Sequence, residues 1–137
     1  MKPHPYLRAY MAGIVVPTLF IPVVFTAFII ARFVYRVDAP LERIVIFPVA
    51  FVPGLWGLWN MLWVALHSRR RLPLGLHGAI TPLAFMPLGL LVARTVGFEI
   101  PGLIPTMIAV VLPVAVILYY LIWKHVVGFF NELLGIA

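Results

Sequence analysis

On a helix, Pro53, Trp56, Asn60, Trp63 and His67 follow one another at spacings of three or four and so share one face. Asn60 is the most polar side chain well inside an apolar stretch. An amide between aromatic walls can line a groove that passes a polar solute. It can equally tie its helix to a neighbour's backbone, a bond worth about 0.6–2 kcal/mol in a membrane. The tie is the simpler reading of this face. The histidines His4, His67, His77 and His125 could hold a metal ion, or a haem where two rings face each other. They fall in loops and at the ends of apolar stretches, without a ligand spacing such as HExxH. No nucleophile–base pair, carboxylate pair or phosphate-binding loop is legible. The expectation is a protein that is not an enzyme, with no cofactor and no metal.

These residues are embedded in a chain of 137 residues that is 64% hydrophobic and 10% charged. Soluble domains lie near ~45–50% apolar and ~25% charged. The charges cluster between four apolar stretches, each about the 20 residues needed to cross ~30 Å of hydrocarbon. The spans drawn from the sequence are 11–31, 44–66, 78–97 and 104–123. Their faces lack the polar side that a soluble bundle needs. The expected fold is an all-α integral membrane protein, a four-helix transmembrane bundle with short loops and antiparallel neighbours. The first stretch is too long for a signal peptide and reads as a retained helix. With no cysteine, disulfides and thiolate sites are excluded.

Each apolar stretch carries a proline near its middle: Pro22, Pro53, Pro87 and Pro113. A proline removes one N–H and crowds the carbonyl four residues back. The groups freed in this way lie on Gly13, Thr18, Ile44, Val49, Gly78, Leu83 and Ala109. They could line a cavity, as in transporters with broken helices, or simply kink helices for packing. Asp38-Ala39-Pro40 marks the start of the second helix, and Glu99-Ile100-Pro101-Gly102 with Pro105 a turn into the fourth. Residues 125–137 either continue the fourth helix or lie along the interface.

A shift of 65 residues superposes Gly13 on Gly78, Pro17 on Pro82, Phe20 on Phe85 and Pro22 on Pro87. It also superposes Pro40 on Pro105 and Pro48-Val49-Ala50 on Pro113-Val114-Ala115. This suggests tandem helical hairpins, 11–67 and 76–132, in a parallel, same-orientation repeat. Pro53 has no counterpart, because position 118 is Leu.

Lys2, Arg8, Arg69, Arg70, Arg71 and Lys124 fall on one side of the spans, and Arg32, Arg36, Arg43 and Arg94 on the other. The excess places both termini in the cytoplasm of a bacterial-type inner membrane. Arg69, Arg70 and Arg71 are candidate lipid or orientation contacts. The net charge of +6 therefore points to membrane lipids, not nucleic acid. Trp56, Trp59, Trp63, Tyr119, Tyr120 and Trp123 read as an aromatic belt at the headgroups. The expected function is a structural or accessory membrane subunit that packs with copies of itself or with other membrane subunits. The alternative is a small homo-oligomeric channel or transporter with a path lined by Asn60, Thr18 and Thr81. A haem-, metal- or pigment-binding membrane subunit is a weaker third reading.

Overall fold

The computed structural model describes residues 4–38, 41–45, 50–95 and 107–136. Among them the fold is all-helical, with no strand. Pro40, Pro48, Glu99, Pro101 and Pro105 lie outside the described residues, as do the side chains of Arg43, Arg69 and Arg70.

Helix α1 (Pro5–Phe33) opens with proline in its first turn, where the missing N–H would be unpaired anyway. It carries Pro17 and Pro22 in its interior. A short α2 (Leu41–Ile44) follows, and the Arg32 guanidinium lies 3.2 Å from the Glu42 carboxylate to link the two. Helix α3 (Val52–Arg70) has Pro53 in its first turn, not at its middle. The 44–66 span expected from the sequence is thus not one described helix: α3 starts at Val52 and runs beyond Leu66 to Arg70. Helix α4 (Leu74–Thr95) holds Pro82 and Pro87 in its interior.

The C-terminal helical run contains α5 (Leu112–Leu121) and α6 (Gly128–Leu133), preceded by the π-helical turns Met107–Val111 and Ile122–Val127 respectively. Pro113 lies inside this continuous run, in the first turn of α5 and two residues after the π-helical turn Met107–Val111. The question left open by residues 125–137 is resolved: the helix continues through Leu133 and ends at Gly135, whose φ of 69° suits a left-handed C-terminal cap.

Three described helices are long and apolar enough to cross a membrane: Pro5–Phe33, Leu74–Val92 and Ile108–Leu133. Helix α3 is not one of them, because Asn60, His67 and the arginine end dilute its apolar content.

The core lies at one end. In α1 the buried stripe is Ala9, Ala12, Gly13, Val16 and Pro17, the i, i+3, i+4, i+7, i+8 pattern of a helix face, and it stops there. Beyond it, Leu19, Phe20, Val23 and Phe33 are exposed. The stripe continues on Trp56, Gly57, Asn60 and Trp63 of α3, and on Gly75, His77, Gly78 and Thr81 of α4. Trp123, Val127 and Asn131 complete it. Four residues overshoot a full turn in an α-helix and fall short in a wider π turn. The π turn Ile122–Val127 before α6 offsets these drifts and keeps the three in line.

Glycine sets the helix crossings. A Cβ on Gly13 would stand 2.6 Å from the Trp56 carbonyl oxygen and 2.9 Å from Gly57 Cα. A Cβ on Gly78 would collide with Cβ and Cγ of Trp123. Helix α1 thus meets α3, and α4 meets the C-terminal run, at a glycine four residues before an interior proline.

Candidate functional site

The polar centre of this end is an amide pair. Asn60 and Asn131 are both fully buried. Asn60 Nδ2 donates to Asn131 Oδ1 and to the Ala9 carbonyl, both at 2.8 Å. Asn131 Nδ2 donates back to Asn60 Oδ1 at 3.3 Å. One side chain of α3 thereby holds the backbone of α1 and the side chain of α6. Ala9 permits the approach because its small side chain leaves the carbonyl within reach.

A second exchange joins α3 to α4. His77, 2% exposed, places Nε2 2.8 Å from the Trp59 carbonyl. Trp59 Nε1 donates to the His77 carbonyl at 3.2 Å, and the two rings stack with centroids 4.8 Å apart. The bond to Trp59 requires the proton on His77 Nε2, so this nitrogen offers no lone pair to a metal. Thr81, also buried, directs its hydroxyl to the His77 carbonyl. Among the described residues no group of three metal-ligating side chains converges.

Around these bonds the rings form a continuous chain. Tyr119 contacts Trp56 at 5.1 Å, Trp56 contacts Trp123 at 5.5 Å, and Trp123 contacts His77 at 5.6 Å. From His77 the chain passes to Trp59 and on to Phe85 at 5.1 Å. Such tilted and edge contacts each add about 0.5–1.5 kcal/mol beyond their buried area. The aromatic belt expected at the headgroups is therefore partly internal: Trp56, Trp63 and Trp123 are buried. For Trp123 the physical reason is Gly78 opposite it, whose missing side chain leaves room for the indole between helices. Trp123 Nε1 is buried without a hydrogen-bond partner among the described residues.

The five residues of the sequence-derived face divide into separate tasks. Trp56 belongs to the ring chain and Asn60 to the amide pair. Trp63 Nε1 donates to the Leu72 carbonyl at 2.9 Å, and His67 Nδ1 lies 3.3 Å from the same oxygen. Both fold the 71–73 link back along α3. Pro53 is half-buried at the helix start. Arg71 is exposed with a φ of 49° as the C-terminal cap of α3. His77 and Thr81, expected as a metal candidate and a path-lining group, serve instead as ties between and within helices, and Asn131 was not among the expected site residues. The i, i+4, i+8 spacing of Trp123, Val127 and Asn131 is the signal that could have found the last of them.

Replacing His77 by Phe keeps a ring against Trp59 but loses the bond to its carbonyl. The expected cost is about 1 kcal/mol, seen as a lowered unfolding midpoint of detergent-solubilised protein. An unchanged midpoint would show that the ring alone holds α4 to α3.

No family model matches the chain, and neither does any curated protein or solved structure.

Proposed function

We propose that the chain is a structural or accessory membrane subunit, a four-helix transmembrane bundle of two tandem hairpins in the same orientation. It packs with further copies of itself or with other membrane subunits, its termini in the cytoplasm of a bacterial-type inner membrane. In this arrangement α3 crosses as the second helix, shielded by α1. The equivalence of Gly13 and Gly78 supports the repeat: at each a Cβ would collide with the facing helix, and the 65-residue shift superposes them.

The observation that carries the reading is how the buried amides, imidazole and hydroxyl are used. Asn60, Asn131, His77 and Thr81 hydrogen-bond to protein groups, mostly on other helices. A polar path needs such groups turned toward a solute. Thr18, its third expected lining group, is instead exposed on α1 and bonded to the carbonyl of Ile14. The outer halves of the helices present Leu19, Phe20 and Val23 on α1 and Val114 and Ile117 on α5, an apolar surface suited to lipid and to neighbouring subunits.

Native mass spectrometry of gently extracted protein tests the proposal. The expected spectrum shows masses above the 15.4 kDa of one chain, as multiples of it or with a second polypeptide. A bare monomer that conducts solute in liposomes, and loses that flux with Asn60→Leu, would replace this reading with the channel.

A further inference from the structure

We propose that the corner of the bundle formed by Lys124 and Arg71 binds the phosphate of an anionic phospholipid, with the acyl chains against Leu121, Val126 and Phe129. The inference requires only membrane placement and stands apart from the subunit reading, since a monomer would bind lipid equally well.

Lys124 interrupts an apolar helix that runs on past it, for roughly 13 Å, to Leu133. Lys124 is exposed, and so are the apolar Leu121, Val126 and Phe129 around it, together with His125 and, farther on, Glu132. No carboxylate of the described residues lies within ion-pair distance of it. A cation flanked by apolar membrane-facing surface is costly unless it reaches the headgroups or meets an anion there.

The position of this charge is set by packing. The ammonium lies over the Tyr120 ring, 5.8 Å from its centroid. Tyr120 and the Lys124 stem rest on Gly75: a Cβ there would stand 2.8 Å from Tyr120 Cε2 and 3.2 Å from Lys124 Cβ. Gly75 lies in the first turn of α4, four residues after the exposed Arg71. The contact therefore brings the C-terminal run against the start of α4, just beyond Arg71.

Charge across the molecule is polarised in the same sense. By the span assignment of the sequence, Arg8, Arg71 and Lys124 fall on one side with one acid, Glu132. By the same assignment Arg32, Arg36 and Arg94 fall on the other side with Asp38 and Glu42. A lipid fits better than a free anion, because only a lipid gains from the exposed apolar groups beside Lys124.

The test is native mass spectrometry of protein released from vesicles of phosphatidylcholine with a quarter phosphatidylglycerol. The expected result is selective retention of phosphatidylglycerol. It falls roughly 30-fold in the K124Q/R71Q double variant, the combined effect of two surface cations. The R36Q/R94Q variant, altered at the other end, retains lipid as the parent does. Lys124→Arg, which keeps the charge, also retains it and covers the case in which the double variant misfolds. Equal retention by parent and K124Q/R71Q would overturn the proposal. So would equal losses at both ends, loss with Lys124→Arg, or release of the lipid by inorganic phosphate alone.

Discussion

Alanine at Gly13 will force α1 away from α3 and lower stability by about 3 kcal/mol, the upper end of the usual cost of overpacking. The obstacle is backbone. The new methyl would stand 2.6 Å from the Trp56 carbonyl oxygen, 2.9 Å from Gly57 Cα and 3.0 Å from Asn60 Cβ. No rotamer change clears a carbonyl or a Cα, so one helix must shift as a whole. That shift also lengthens the Asn60–Ala9 bond one turn away. Gly54→Ala is the contrasting case, since its Cβ would meet only the Tyr10 hydroxyl at 3.9 Å, an ordinary contact. There the better helix propensity of alanine makes the change neutral or stabilising by up to about 1 kcal/mol. Gly57→Ala falls between them, because it displaces the side chains of Tyr10 and Ile14, which can move. Gly78→Ala should match Gly13→Ala where α4 meets the C-terminal run, with the Trp123 stem as the obstacle. Denaturant titration in detergent micelles ranks the four variants. Equal losses at Gly13 and Gly54 would refute the crossing geometry.

The same contacts explain what could be read in the sequence. Apolar length and charge spacing made α1, α4 and the C-terminal run legible, because a membrane-crossing helix must satisfy its own backbone and stay apolar for its whole length. Helix α3 was less legible. Pro53 was read as a defect within a helix, whereas it opens one. A proline at a helix start and one at a kink leave the same mark in a hydropathy pattern. The face of Asn60 was visible because three- and four-residue spacing is local. Its partners were not, because Asn131 lies 71 positions away and helix pairing has no local code. Histidine and tryptophan misled in the opposite direction. Both suit a headgroup interface, yet His77 and Trp123 are buried, since Gly78 removes the side chain that would otherwise keep Trp123 out.

The amide pair makes the second large prediction. Asn60→Leu keeps the branched outline of the side chain but removes both donors, to Ala9 and to Asn131. Asn131 is then a fully buried amide facing an alkyl group. The expected loss is about 2–3 kcal/mol, from the missing bonds and the desolvated group left behind. Asn131→Leu orphans Asn60 less completely, because the Ala9 carbonyl still takes one of its protons, and should cost about 1–2 kcal/mol. The double variant replaces a polar pair with an apolar one and should be more stable than the sum of the single losses predicts, by about 1–2 kcal/mol. Strict additivity would mean that the two amides do not interact. The double variant also separates the functional readings. If the amides serve as helix glue, Asn60→Leu with Asn131→Leu recovers assembly together with stability. If they line a path for solute, stability returns while flux is abolished. Measuring unfolding, native mass and solute flux on the same four proteins distinguishes a tie between helices from a lining.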